Sequence, residues 1–134
     1  MLCALATCLL LQQPGEIEYE KKRLVGAWYI HEFTSNGWKA GIIGNNGPEL
    51  VFRQNWVITY GLPGCRYKID TSKTPWTIDF FYLNGARESG VYKLEEGVLT
   101  ICLKEKPPWP KDFTCERGSD RMLSVYRRAP VGRK

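Results

Sequence analysis

The chain has a single histidine, which restricts the hydrolytic chemistry available to it. A Ser-His-Asp or Cys-His arrangement would have to use His31 as its base, with Ser35 or Cys65 as the nucleophile. No nucleophile elbow or other local motif accompanies these residues, and a lone histidine on a first strand is usually a surface or rim residue. We therefore predict that the protein has no catalytic residues and is not an enzyme.

Neither the cysteines nor the carboxylates form a recognisable site. One histidine and scattered cysteines lack the spacing of a zinc motif, so we predict no metal and no cofactor. A pair of acidic residues could serve glycoside hydrolysis. The acidic residues here fall at strand ends, at outward positions of strands or in turns, so we predict that they are solvated. These residues are Asp70, Asp79, Glu88, Glu95 and Glu96. The glycine-rich segment 41–47 precedes a strand rather than a helix, so we predict a chain reversal and not a phosphate loop.

Aromatic side chains are the remaining candidates, and they indicate binding rather than catalysis. The candidate ligand-binding residues are Trp56, Tyr60, Trp76, Phe80, Tyr92 and Tyr126. Small barrels either fill their interior with such side chains or leave space for one small ligand, and both alternatives stay open at this point. Trp38 and Trp109 fall in predicted loops and are candidate surface anchors for a protein partner.

The elements that must position these side chains are short strands. From Leu24 onward, runs of β-branched and aromatic residues are separated by Gly, Pro and Asn, which is typical of all-β proteins. The predicted strands are 27–33, 49–53, 56–60, 66–70, 76–83, 90–94, 98–104 and 122–128, after a short charged helix at 16–23. Short connections favour antiparallel neighbours, in a sandwich or a closed barrel.

Seven short motifs follow one another along the chain: LVGAW (24–28), LVF (50–52), YKID (67–70), PWTID (75–79), GVYKL (90–94), GVLTIC (97–102) and LSVYRR (123–128). In this order they resemble a planctomycete-type lipocalin-like domain family of uncharacterised function. The resemblance implies an all-β, lipocalin-like antiparallel up-and-down β-barrel of about eight strands with a short N-terminal helix. It also implies that Pro75, Asp79 and Gly90 are fold determinants.

The resemblance further implies how the barrel is closed. Gly26 and Trp28 on the first strand would form the floor, and Arg127 or Arg128 on the last strand would pack across the indole as a cation–π pair. The chain departs from the family pattern in Cys65 and Cys115. Cys102 and Cys115 flank the proline-rich segment 106–110 and are the candidate disulfide pair.

Composition and length fit one exported domain. The 134 residues are 43% apolar and 25% charged, as in ordinary globular domains. We predict a signal-peptide-like apolar segment at 1–13, which is too short to span a bilayer, a barrel domain at 16–128, and a basic tail at 129–134. The predicted location is therefore periplasmic, cell-envelope or secreted, without a transmembrane span.

Two functions are consistent with these observations. The first is a non-enzymatic exported binding module that holds a small apolar ligand in the barrel. The alternative is a protein or cell-envelope interaction domain with a fully packed barrel core, whose net charge of +5 would favour an anionic partner. No recognition motif supports nucleic-acid binding.

Overall fold

The computed structural model describes residues 14–41, 47–59 and 64–129. In this part of the chain a helix, α1, precedes nine strands. Their bounds are α1 Pro14–Leu24, β1 Gly26–Ser35, β2 Trp38–Ala40, β3 Leu50–Phe52, β4 Trp56–Thr59, β5 Cys65–Asp70, β6 Thr77–Phe81, β7 Arg87–Glu95, β8 Val98–Lys104 and β9 Met122–Arg127. The apolar segment 1–13 and residues 130–134 of the predicted basic tail lie outside the described residues.

The strands form a closed antiparallel barrel. Strands β3 to β9 follow one another as hydrogen-bonded neighbours, and β1 pairs with β3 at one edge and with β9 at the other. Eight strands therefore close the ring, while β2 extends the mouth end of β1 as a short hairpin arm. The predicted lipocalin-like up-and-down barrel of eight strands with an N-terminal helix is confirmed.

Two strand predictions differ from the structure by more than two residues. The segment Trp38–Ala40, predicted as a loop, pairs with β1 across a two-residue turn. Strand β7 begins at Arg87 rather than at residue 90, and its added residues pair with the end of β6. The longer β7 changes which side chains reach the barrel interior.

Alternation along each strand determines the core. Inward positions carry large apolar side chains, and outward positions carry mostly polar ones. The inward residues with 4% or less of their surface exposed are Trp28, Phe52, Val57, Cys65, Tyr67, Ile69, Ile78, Phe80, Tyr92, Leu99 and Ile101. Between β7 and β8, Glu96 and Gly97 have φ of 53° and 77°, so glycine supplies the left-handed conformation that this tight hairpin needs.

Helix α1 covers one end of the barrel. Glu16 lies in its first turn and Lys21, Lys22 and Arg23 in its last, an order that suits the helix dipole. Leu24 is fully buried, and Ile17 packs against the core. Arg23 donates 3.1 Å to the carbonyl of Leu94 and pairs with Glu20 at 2.8 Å, which ties the helix to β7. We call this the closed end, and the opposite end the mouth.

The long connection from β8 to β9 folds across the outside of the barrel. The Arg87 guanidinium lies 4.7 Å from the Trp109 ring centroid, and the Lys93 ammonium lies 4.9 Å from that of Phe113. Val91 and Cys102, which point outward from β7 and β8, are therefore almost completely buried. This covering explains why outward positions of β7 and β8 carry the apolar side chain of Val91 and the thiol of Cys102.

Candidate functional site

A cavity of about 230 Å³ lies inside the barrel at its mouth. Its lining comes from residues in or next to seven strands: β1, β3, β4, β6, β7 and β8 contribute mainly from their mouth halves, and β9 contributes from Met122 to Tyr126. The apolar wall consists of Phe33, Leu50, Phe80, Ile101, Leu103 and Met122. The polar side chains are those of Glu49, Thr59, Tyr82, Glu88, Ser124 and Tyr126.

The cavity exists because the two halves of the barrel carry side chains of different size. Towards the closed end, the aromatic rings of Trp28, Phe52 and Tyr92 fill the interior. Towards the mouth, the inward position of β9 opposite Ile101 is Ser124, and the last inward position of β4 is Thr59. These short side chains leave the volume unfilled. The barrel is therefore packed at one end and hollow at the other.

Glu88 is the strongest electrostatic feature of the cavity. It is the register partner of Phe80, so it points inward, and the Tyr82 hydroxyl donates a short hydrogen bond to its Oε1. Burial raises the pKa of this carboxyl; the hydrogen bond from Tyr82 opposes the shift, and the charge of Glu105 adds to it. A carboxylate at this position pays a desolvation cost that a cationic partner would offset.

A second carboxyl group, that of Glu49, and several hydroxyl groups also line the cavity. Burial also raises the pKa of Glu49. Burial raises the pKa of Tyr126 to about 12, opposed by a hydrogen bond with Ser124 and reinforced by the charges of Glu49 and Glu88. The Oγ1 of Thr59 is buried and has no hydrogen-bond partner among the described residues. The cavity thus combines two carboxyl groups with hydroxyl groups on an apolar wall.

The predicted solvation of Glu88 is wrong. The strand predicted from the sequence at 90–94 has its inward positions at 90, 92 and 94. Because β7 starts at Arg87, the same alternation continues back to Glu88 and places it inside. Continuing the inward alternation of residues 90, 92 and 94 back by two residues would have predicted that Glu88 faces inward.

The six predicted ligand-binding residues do not form one site. Phe80 and Tyr126 line the cavity. Tyr92 and Trp76 pack against each other in the core, with ring centroids 5.7 Å apart. Trp56 precedes the fully buried, inward Val57 and so lies on the outer face, where its indole covers Gly64. Tyr60 lies outside the described residues.

The predicted barrel-closure residues meet at the closed end. Trp28 is fully buried and donates 2.8 Å from Nε1 to the carbonyl of Leu24. The Arg128 guanidinium lies 3.7 Å from the Trp28 ring centroid and donates to the carbonyls of Val25 and Arg23 at 3.1 and 2.7 Å. Arg127 is exposed at the end of β9, opposite Tyr29.

Gly26 makes this arrangement fit. Its φ of 122° is a conformation that side-chain-bearing residues rarely adopt, and a Cβ there would lie 2.6 Å from Nη1 of Arg128. The glycine therefore provides both the backbone turn into β1 and the space for the guanidinium.

Two residues implied as fold determinants also have structural contacts. Asp79 accepts hydrogen bonds from Arg87 at 2.9 Å and from the hydroxyl of Ser89, which joins β6 to β7 on the outer face. A Cβ on Gly90 would lie 1.8 Å from the Cys102 carbonyl oxygen, so β7 and β8 require glycine to approach this closely.

The candidate disulfide is not formed in this structure, where Cys65, Cys102 and Cys115 are free thiols. The two predicted partners point to different backbone carbonyls. Cys102 Sγ lies 3.7 Å from the oxygen of Thr114, whereas Cys115 Sγ lies 3.3 Å from that of Arg121. The predicted pairing of Cys102 with Cys115 is therefore not present in this structure.

The nucleophile chemistry considered for His31 has no support from its position. Its Nε2 lies 2.8 Å from the carbonyl oxygen of Ala129, at the bulge where β1 changes register. Among the described residues, no group of His, Cys, Asp and Glu side chains is arranged to hold a metal ion. Within the same ranges, no helix has the length and apolar character needed to cross a membrane.

A closed eight-stranded antiparallel barrel with a helix at one end and a cavity at the other defines the lipocalin-like class of fold. No family model, curated protein or solved structure matches this chain. The class is therefore assigned from the strand topology, and the function must be argued from the cavity.

Proposed function

We propose that the protein is a non-enzymatic lipocalin-like binding module that holds a small, mainly apolar ligand in the mouth cavity. The observation that carries this proposal is the cavity of about 230 Å³ inside a closed barrel. Small-molecule sites are typically concave and mostly apolar, with a few polar groups that orient the ligand. The mouth cavity has this composition, and its volume counts against the alternative of a fully packed core.

The volume restricts the ligand to a small molecule. A dry apolar cavity of about 150 Å³ in another protein accommodates benzene. The mouth cavity exceeds this by about 80 Å³, which leaves room for one aromatic ring with a short substituent or for an aliphatic molecule of similar size. A long fatty acid would not fit inside this volume.

Filling the cavity from one strand tests the proposal. Leu103 lies on the inner face of β8 and lines the cavity, so Leu103→Trp should occupy the ligand space. Lys104→Trp places the same side chain on the outer face of the same strand and is the matched control. Calorimetric titration with benzene, toluene and 2-phenylethanol should show binding to the native protein and to Lys104→Trp, and none to Leu103→Trp. No binding to any folded form, or equal binding to both variants, would refute the proposal.

Export, family membership and the lack of catalysis belong to the same proposal. The apolar segment 1–13 supports export, and the amino terminus of protein recovered from a host that can export it would test this: cleavage after the segment is expected. The order of the seven motifs supports the planctomycete-type lipocalin-like family. The engagement of His31 with a backbone carbonyl supports a non-enzymatic role.

A protein partner at the mouth is the second candidate function. Trp38 and Leu83 are 60% and 72% exposed, and both lie at the mouth, on β2 and in the β6–β7 turn. The Arg117 guanidinium stacks 3.7 Å from the Trp38 ring centroid, so this aromatic surface also carries positive charge. Binding of an acidic protein should weaken in Trp38→Ala and at high salt, with Tyr19→Ala at the closed end as the control.

A further inference from the structure

We propose that the mouth cavity selects a small organic cation, a protonated amine on an apolar body, over neutral and anionic molecules of the same shape. This inference rests on the proposed function, because it names the class of ligand that the same cavity takes. The geometry that carries it is the placement of two carboxyl-bearing side chains, Glu49 and Glu88, on the wall of an otherwise apolar and hydroxyl-lined pocket.

The charged side chains in the described lining of the cavity are acidic. Its described lining includes Glu49 and Glu88 and contains no lysine, arginine or histidine. Glu88 accepts its hydrogen bond from the neutral hydroxyl of Tyr82, and no ion pair to Glu88 is formed by the described residues. A carboxylate removed from water without a cation is unfavourable, and a ligand that supplies the positive charge removes that cost.

The hydroxyl groups of the lining complete a site for an ammonium head group. An ammonium carries three donors and no acceptor, so it needs several oxygen acceptors arranged around it. Besides the carboxylate of Glu88, the cavity offers the oxygens of Ser124 and Tyr126 and the buried Oγ1 of Thr59, which has no partner among the described residues. The unpartnered hydroxyl indicates a position at which a ligand donor would be satisfied.

The apolar wall determines what the amine must carry. Phe33, Phe80 and Leu103 contribute ring and aliphatic surface, which favours an aromatic or branched body. The cavity volume of about 230 Å³ accommodates one aromatic ring with a two-carbon arm. Aromatic faces also attract cations, so the rings of the wall add to the preference for an ammonium. A protonated arylalkylamine of this size is the simplest molecule with all of these properties.

Three probes of matched shape separate charge from shape: 2-phenylethylamine, which is cationic at pH 7, 2-phenylethanol, which is neutral, and phenylacetate, which is anionic. Isothermal titration of the native protein should give the amine an affinity at least about tenfold above that of the alcohol. Phenylacetate should bind more weakly than the alcohol, because the carboxylates repel it.

Two variants locate the effect. Glu88→Gln keeps the shape and the hydrogen bond from Tyr82 but removes the charge, so the affinity for the amine should fall about tenfold or more while that for the alcohol stays equal or rises. Glu49→Gln should reduce the affinity for the amine in the same direction. Glu95→Gln, an exposed position at the closed end of the same strand as Glu88, is the matched control and should leave all three affinities unchanged.

Each outcome separates this inference from the proposed function. Tighter binding of the alcohol or of phenylacetate by the native protein would overturn the choice of a cation and leave the binding function intact. An unchanged amine affinity in both folded cavity variants, or an equal loss in Glu95→Gln, would also overturn it. If none of the three probes binds to the folded protein, the inference falls, and the proposed function falls with it only if benzene and toluene also fail to bind.

Discussion

Arg128 is the residue whose replacement tests most directly how the closed end holds the barrel together. It follows β9, the last strand, and its guanidinium contacts Trp28 and the carbonyls of Arg23 and Val25. One side chain therefore joins the end of the barrel to the connection between α1 and β1. Arg128→Ala removes these contacts and leaves the core side chains in place.

The expected loss follows from these contacts. A cation over an aromatic face contributes about 0.5–2 kcal/mol, and each hydrogen bond about 0.5–1.5 kcal/mol. Because Arg128 is largely exposed, the lower part of each range applies, which gives about 1.5–3 kcal/mol in total. For a chain of 134 residues, each kcal/mol lowers Tm by about 3–5 °C. Arg128→Ala should therefore lower Tm by about 5–15 °C.

Urea unfolding and calorimetry of three variants measure this loss. Arg127→Ala is the matched control on the neighbouring exposed residue, and its effect should stay within about 0.5 kcal/mol. Arg128→Lys keeps the charge but loses the planar fork that spans two carbonyls, so it should recover little of the stability. Equal effects of Arg127→Ala and Arg128→Ala, or full stability in Arg128→Ala, would refute the assignment of Arg128 as the closing residue.

The remaining predictions concern the backbone at the floor and the buried polar groups. Gly26→Ala should lower the free energy of unfolding by about 1–3 kcal/mol, because alanine disfavours the positive φ at this position. In an Arg128→Ala background, where the new Cβ has no guanidinium to clash with, the two losses should sum to less than their separate values. Burial raises the pKa of Glu88, so the native protein should lose stability relative to Glu88→Gln as pH rises above the ordinary pKa of 4.5. In acid, the stabilities of the native protein and of Glu88→Gln should converge. Urea unfolding at several pH values checks this direction. Thr59→Val should gain about 1 kcal/mol in the same assay by removing a buried hydroxyl. Burial raises the pKa of Cys65 and of Cys102 to about 11, so peptide mapping should find both unalkylated by iodoacetamide at pH 8 until the protein is unfolded.

The sequence carried enough information for the barrel because the barrel follows from local patterns. Alternation such as Ile78 and Phe80 indicates a strand with one buried face, and short turns indicate antiparallel neighbours. Strand β2 was missed because its three residues are all exposed and show no alternation. Asn36-Gly37, with φ of 52° and 83°, was the turn signal that could have predicted this hairpin.

The candidate site was harder to predict because no single segment contains it. The cavity is lined from seven strands, and its volume depends on short side chains such as Ser124 and Thr59 at inward positions of two different strands. Aromatic content alone pointed to Trp56 and Trp76, which lie on the outer face and in the core respectively. Register and strand boundaries, rather than residue type, decided that Glu88 faces inward.

The division of the barrel into a packed end and a hollow end separates stability from binding. The floor around Trp28 and the aromatic core near Tyr92 supply the buried apolar area that holds the fold. The mouth carries groups that the fold does not need, since Glu88 and Thr59 each add a cost of burial. Residues that burden stability and line a cavity are typical of sites adapted to a ligand. Glu88→Gln and Thr59→Val should therefore stabilise the empty barrel and at the same time weaken its binding of a cation. A purely structural role for Glu88 and Thr59 would not produce these opposite effects on stability and binding.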